Sequence, residues 1–240
     1  MRKIEHRVGL LIPSTNTLIE PEYSDVMLRN VSVHFARLAL TGVDEDGIRS
    51  QDKDVAHQAR CLGTAKVEVI LFCQTSASYY MGVDYDAELK SRIEAASGRP
   101  AITAAQAIND ALEALGVKRL AIAAPYLAEI NEVAGRYLSA NGFEIVASQS
   151  LGLTDGFSIA LLERDRVLDL VRSADHADAE AIVIPGGNMP CLDFVGEMEA
   201  EFEKPVVCTN ATGMWALLRH LGGTRPITGY GRLLAEHLGG

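Results

Sequence analysis

The sequence predicts an α/β protein made of two pseudo-symmetric lobes, each a mainly parallel sheet flanked by helices. Three observations predict this class. Short runs of β-branched and aliphatic residues alternate along the chain with amphipathic segments of helical length. The runs are almost continuously apolar, as expected of parallel strands that are buried on both faces. Three pairs of segments recur in the same order, which indicates two similar halves.

The strands are predicted from apolar runs that end at polar, proline or glycine residues. They cover residues 8–12, 31–38, 67–72, 101–103, 120–124, 144–148, 181–184 and 206–208. Between them, apolar residues recur every three or four positions, which is typical of helices with one buried face. Helices are predicted near residues 17–28, 48–61, 85–96, 105–115, 128–140, 164–174, 193–202 and 214–221.

The internal repeat predicts where the lobes divide. Residues 99–108 and 204–213 both read as a basic residue, proline, a short strand, a small polar turn and a helix start, and Leu-Gly ends the helix that follows. Residues 9–16 resemble 121–128, and residues 68–76 resemble 180–188. Any two strand–helix units share some of this pattern, so the common order of the three pairs is the stronger indication. We predict one lobe from residues 1–115 with 214–240, and a second from residues 116–213.

Composition excludes several classes of protein. The 240 residues carry a formal net charge of −10 without a Lys/Arg-rich block, which argues against a nucleic-acid or anionic-membrane partner. The apolar runs are far shorter than the roughly 20 residues of a membrane span, and no secretory leader is recognised. The four cysteines lack metal-ligand spacing, so no metal is expected. We expect a cytoplasmic protein, and a homo-oligomer is compatible with this composition.

Small polar residues follow five of the predicted strands. Ligands of parallel sheets bind beyond the carboxyl ends of strands, so these segments are expected to meet in a cleft between the lobes. The segments are residues 13–16, 74–78, 125–126, 186–188 and 209–212. Helix N-termini with hydroxyl and amide donors suit a carboxylate or phosphate. Local helix capping is the alternative for any single residue. The GxGxxG and P-loop patterns are absent, so a nucleotide site is not predicted.

Cys73 ends a predicted strand beside this cleft. A thiol near helix N-termini has its pKa lowered and can act as an acid, a base or a nucleophile. A buried, inert cysteine is the alternative.

A set of motifs spread over nearly the whole chain resembles a known group of proteins. The motifs are Pro13-Ser14-Thr15-Asn16-Thr17 with Glu20 and Glu22, residues 75–82, Pro125-Tyr126 with Asn131-Glu132, residues 150–154, Gly186-Gly187, residues 205–207, Gly213-Met214-Trp215 and residues 229–233. Together they resemble the aspartate/glutamate racemase superfamily, and within it the branch of arylmalonate decarboxylase and maleate cis-trans isomerase.

The resemblance implies that the two lobes clamp a small carboxylate substrate without a metal or organic cofactor. By the same resemblance, Thr75, Ser76, Tyr126 and the turn at Gly186-Gly187 hold one carboxylate and stabilise an enediolate. Asn16 matches the asparagine with which the isomerases bind a substrate carboxylate. Pro13 and Asn188 complete the expected substrate-binding set.

The chain departs from the superfamily at its two cysteine positions. An ungapped alignment puts Gln74 and Pro185 there, whereas a shift of one residue brings Cys73 to the first position. We expect Cys73 and Gln74 to belong to the catalytic set with the three hydroxyl residues. The leading hypothesis is decarboxylation of a malonate-like acid. Isomerisation or racemisation through Cys73 is the alternative, and a catalytically silent carboxylate-binding protein is a third hypothesis.

Overall fold

Two four-stranded parallel sheets form the core of the protein. The structure is a computed structural model that describes residues 3–40, 42 and 45–239, with Glu45 described as backbone only. The strand orders are β2-β1-β3-β4 and β6-β5-β7-β8, and every neighbouring pair is parallel. The two sheets therefore have the same topology, which confirms the predicted fold class and the two similar lobes.

The first sheet consists of β1 (His6–Pro13), β2 (Val31–Leu38), β3 (Val69–Phe72) and β4 (Ala101–Thr103). The helices along this part of the chain are α1 (Ile19–Val26), α2 (Glu45–Ser50), α3 (Asp52–Thr64), α4 (Thr75–Met81), α5 (Val83–Ser97) and α6 (Ala104–Ala114).

The second sheet consists of β5 (Arg119–Ala124), β6 (Glu144–Ser150), β7 (Ala181–Ile184) and β8 (Val206–Cys208). The helices that follow are α7 (Ala128–Ala140), α8 (Gly156–Ala160), α9 (Arg164–Ala174), α10 (Val195–Phe202), α11 (Thr209–His220) and α12 (Arg232–Glu236). A 3₁₀ turn, Leu192–Phe194, precedes α10.

The strands agree with the sequence prediction to within two residues, but the helices differ more. The short helices α8 and α12 were not predicted, and three longer segments also differ. Helix α4 was not predicted, because its Thr-Ser-Ala-Ser-Tyr-Tyr sequence has low intrinsic helix propensity and no charged residue to mark an exposed face. Its first five residues are buried, so tertiary packing stabilises it. The helix predicted over residues 48–61 is divided at Gln51 into α2 and α3. Helix α11 begins at Thr209, five residues before the predicted start, and is buried along most of its length.

Two pairs of helices join the parts of the chain that carry the two sheets, although most of α11 lies in residues 214–240, which were predicted to belong to the first lobe. Helix α4 packs on α7, and α6 packs on α11. The two sheets lie on either side of the predicted boundary between residues 115 and 116, while the exact extent of each lobe stays a prediction. Because both sheets are parallel and the α4–α7 contact crosses between them, residues after β1, β3, β5 and β7 meet in one place.

Candidate functional site

A small cavity of about 40 Å³ lies where the strand ends of the two lobes meet. Every predicted site residue except Gly186 lines it. The lining residues are Pro13, Thr15, Asn16, Leu40, Cys73, Gln74, Thr75, Ser76, Tyr126, Gly156, Ile159, Gly187 and Asn188. None of them is an acidic, basic or histidine residue. The cavity wall thus offers hydroxyls, amides and one thiol, but no formal charge.

Three hydroxyl groups converge on this cavity from both lobes. Thr75 and Ser76 are the first two residues of α4, and Tyr126 follows β5. Burial raises the pKa of the Tyr126 phenol well above its usual value, so it stays protonated at neutral pH. Within the described part of the chain, none of these hydroxyls donates a hydrogen bond to another residue. Their protons are therefore available to an anion in the cavity.

Gly186 lies behind Tyr126 and leaves room for its ring. Its φ of +131° is a conformation that residues with a Cβ rarely adopt, and a Cβ there would lie 2.8 Å from Tyr126 Oη. Gly186 N donates to Thr209 Oγ1 at 2.9 Å. This backbone group, which the resemblance implied as part of an anion site, is thus occupied by a neighbouring side chain.

Two glutamines form a chain of hydrogen bonds that ends at Ser76. Gln74 Nε2 donates to Ser76 Oγ at 3.1 Å, and Gln51 Nε2 donates to Gln74 Oε1. Gln51 is almost fully buried. Sequence reasoning missed Gln51, because a polar residue inside a segment predicted as one amphipathic helix gives no local signal for a contact 23 residues away.

Cys73 is the thiol that lines the cavity among the described residues. Its Sγ donates to Leu71 O at 3.6 Å, and it lies just before α4. Burial raises the pKa of the thiol well above its usual value. The expectation of a lowered pKa was therefore wrong, because desolvation of the thiolate outweighs the field of one short helix. Cys191 lines a separate cavity beside Glu22, and the neighbouring Cys208 together with burial raises the pKa of its thiol.

Asn16 and Asn188 connect the lobes at the edge of the cavity. Asn16 Oδ1 accepts from the backbone N–H groups of Leu18 and Ile19, and its Nδ2 donates to Gly187 O at 3.0 Å. Asn188 Oδ1 accepts from Thr17 N at 2.9 Å, and its Nδ2 donates to carbonyl oxygens of both lobes. Both side chains line the cavity, yet most of their hydrogen-bonding capacity is used by the backbone.

Asp86 of α5 links α4 to its surroundings through its buried side chain. Its carboxylate accepts hydrogen bonds from Ser78 of α4, from Thr103 at 2.8 Å and from Tyr137 of α7 at 3.4 Å. Burial raises the pKa of this carboxyl group. The three hydroxyl donors come from both lobes, so the network attaches α4, whose first two residues are Thr75 and Ser76, to the second lobe.

The described residues lack two further kinds of feature. No group of three His, Cys, Asp or Glu side chains in this part of the chain is arranged to hold a metal ion. No helix in the same residues combines the length and apolar character needed to cross a bilayer.

Comparison with known proteins agrees with this architecture. The family model of arylmalonate decarboxylase matches residues 8–234. Arylmalonate decarboxylase of Bordetella bronchiseptica is 30% identical, covering 95% of this chain and 96% of the relative. Maleate isomerase of Pseudomonas putida is 27% identical, covering 96% of this chain and 97% of the relative.

Solved structures give the same result. A maleate isomerase structure from Pseudomonas putida S16, with maleate, superposes with a TM-score of 0.91 at 27% identity, over 96% of this chain and 97% of that one. A Nocardia farcinica maleate cis-trans isomerase carries a covalently bound succinylcysteine intermediate, with a TM-score of 0.92 at 26% identity, over 96% and 98% of the two chains. The chain belongs to the arylmalonate decarboxylase family, whose members include decarboxylases and maleate cis-trans isomerases.

Proposed function

We propose that the protein is a cofactor-independent decarboxylase of a malonate-like acid. The substrate loses one carboxylate as carbon dioxide, and the hydroxyl groups of Thr75, Ser76 and Tyr126 hold the enediolate that remains. The observation that carries this proposal is the kind of side chain that lines the cavity. These side chains are acids and hydrogen-bond donors, and none of them is a base.

Decarboxylation needs an acid and no base, since the C–C bond breaks without removal of a proton. Racemisation needs a base on one face of the carbon and an acid on the other, and thiol-dependent isomerisation needs a thiolate. The two ionisable groups that line the cavity are Cys73 and Tyr126, and burial raises the pKa of both. Both are neutral at pH 7, which favours decarboxylation over the other two reactions.

The reaction follows from these groups. The retained carboxylate accepts hydrogen bonds from Ser76 and Tyr126, and the other carboxylate faces the apolar side chains of Leu40 and Ile159, where poor solvation favours its loss. Carbon dioxide leaves, and the bonding electron pair moves into the retained carboxylate to give the enediolate. The Cys73 S–H then transfers its proton to the α carbon, and water reprotonates the thiolate.

The direct test uses a panel of mono- and disubstituted malonates in deuterated water. We expect carbon dioxide release together with one deuterium at the α carbon of the product, measured by mass spectrometry. Tyr230, outside the cavity lining, supplies a matched control, because Tyr230→Phe should leave the release unchanged. No carbon dioxide from any member of the panel would contradict the proposal.

Maleate isomerisation is the second candidate, and Cys73 is the observation that favours it. The Nocardia farcinica relative holds its intermediate on a cysteine, and Cys73 is the cavity thiol here. Incubation with maleate would then give fumarate and a succinyl adduct on Cys73 in the peptide map. Calorimetric binding of malonate with neither carbon dioxide nor fumarate formed would instead favour the carboxylate-binding protein, for which Pro185 at the second cysteine position is the motivation.

A further inference from the structure

The hydrogen bonds from Gln51 through Gln74 to Ser76 run in one defined direction, from donor to acceptor. An amide group can donate only through its nitrogen and accept only through its oxygen, so a chain of amides has a direction. Gln51 Nε2 lies 3.4 Å from Ile48 O, at the end of α2. A backbone carbonyl only accepts, so this contact requires the Gln51 nitrogen on that side.

The orientation of Gln51 determines that of Gln74. The same Gln51 nitrogen faces Gln74 Oε1, which leaves Gln74 Nε2 to donate to Ser76 Oγ at 3.1 Å. The opposite orientation of Gln51 would bring two amide oxygens together and place an oxygen against Ile48 O. Gln51 Oε1 is buried without a hydrogen-bond partner among the described residues, which is the cost of the observed orientation.

Ser76 is the last group in this chain of hydrogen bonds, and it lines the cavity. Because its oxygen accepts from Gln74, its own proton is free to donate elsewhere. If the polarity were reversed, Gln74 would present its oxygen, and Ser76 would donate to Gln74 instead of to a ligand. A hydroxyl that accepts one hydrogen bond is also a stronger donor for the next, because the two bonds polarise each other.

We propose that Gln51 is a positioning residue that sets the direction of the Gln74 amide, so that Ser76 donates its proton to an oxyanion in the cavity. The inference rests on the proposed function for the identity of that anion. It adds a residue outside the cavity lining, in the turn between α2 and α3, to the groups that determine turnover.

The test reverses the polarity with a nearly isosteric change. In Gln51→Glu at pH 8, a carboxylate faces Gln74 and accepts from its nitrogen, so Ser76 donates to Gln74 Oε1. We expect kcat for malonate decarboxylation to fall by about 10²-fold, the effect of one lost oxyanion donor. Burial raises the pKa of the introduced carboxyl group, so its protonated form restores the original direction and most of the activity near pH 5.

A double-mutant cycle separates this effect from simple charge repulsion. In a Ser76→Ala background there is no hydroxyl to redirect, so Gln51→Glu should change kcat by less than about threefold. Repulsion between the new carboxylate and the anion would persist in that background. Gln149→Glu, on an exposed part of β6, adds the same charge to the protein and should leave kcat unchanged.

Malonate affinity, measured by calorimetry on the same variants at pH 8, keeps the inference separate from the proposed function. An affinity loss of about tenfold or more for Gln51→Glu, absent in the Ser76→Ala background, supports the role of Gln51 even if no carbon dioxide is released. Equal affinity and turnover of the wild type and Gln51→Glu would overturn it, as would undetectable malonate binding by both. Equal effects of Gln51→Glu with and without Ser76 would also overturn it.

Discussion

The two lobes share one topology but differ at equivalent turns. The turn after β3 presents Cys73, Thr75 and Ser76 to the cavity, and the hydroxyl protons of the last two are free among the described contacts. The corresponding turn after β7 presents Gly187 and Asn188, whose polar groups are largely bonded to the other lobe. These two equivalent turns therefore have different roles: the turn after β3 supplies reactive groups, and the turn after β7 supplies space and contacts between the lobes.

The largest expected effect comes from removing the acid of the first lobe. We predict that Cys73→Ala lowers kcat for malonate decarboxylation by about 10²–10³-fold, because a positioned general acid contributes about 10²–10⁴-fold. Steady-state kinetics measures it. Cys61→Ala removes an exposed thiol from α3 and should leave the rate unchanged.

The pH dependence of the wild type sharpens this prediction. Cys73 must be protonated to act, and burial raises its pKa above the ordinary thiol value. As the pH rises from 7 to 9, the thiol therefore stays protonated and kcat should not fall. A loss of rate through the ordinary thiol range, or a fully active Cys73→Ala variant, would show that another group supplies the proton.

Tyr126→Phe tests the hydroxyl that the second lobe does supply. Its Oη is close to Gly186 and has no acceptor among the described residues. We expect kcat to fall by about 10²-fold, as for the loss of an oxyanion donor, with little change in the free energy of unfolding. Tyr230→Phe is the matched control in the steady-state assay. A reduction below about threefold would mean that the first lobe holds the anion alone.

The fold could be predicted from the sequence because buried parallel strands are continuous apolar runs, and both sheets consist of such runs. Helix α4 could not, since packing between the lobes rather than propensity stabilises it. The cleft that contains Thr75, Ser76 and Tyr126 could be predicted, because all three follow strands whose carboxyl ends form the binding edge of parallel sheets. The sequence contains no information on how side chains are used, so Asn16 and Asn188 were assigned to substrate although the backbone occupies most of their capacity. Gln51 was missed for the same reason.

Asn188→Ala tests the attachment made by the second lobe. The change removes a hydrogen bond from Thr17 N and leaves a partly buried N–H without an acceptor, which costs about 1–3 kcal/mol of the free energy of unfolding. Urea denaturation measures it, and KM should rise because the cavity wall loosens. Asn141→Ala removes a single bond to Tyr137 O within the second lobe and should cost less. Equal losses in the two variants would contradict a special role of the contact between lobes.

The smallest predicted effect concerns Glu22, a carboxyl group of the first lobe that reaches α11. Burial, reinforced by the charge of Asp193 and opposed by a hydrogen bond from Asn210, raises its pKa from 4.5 to about 7. Between these two values the folded protein holds a proton that the unfolded chain has released. Stability therefore falls as the pH rises from about 4.5 to 7, and the penalty stays constant above that.

Glu22→Gln should remove this pH dependence, because a neutral amide keeps an oxygen acceptor for Asn210 without a buried charge. We expect the variant and the wild type to unfold at similar urea concentrations at pH 5, and the variant to be more stable by roughly 1–3 kcal/mol at pH 8. Glu20→Gln, in the same helix but with its carboxylate paired to Arg37 at the surface, should show no such gain. A Glu22→Gln variant that is less stable than the wild type at pH 8 would mean that the ionised carboxylate attaches α1 to α11, and that the first lobe also contributes a charged contact to the junction.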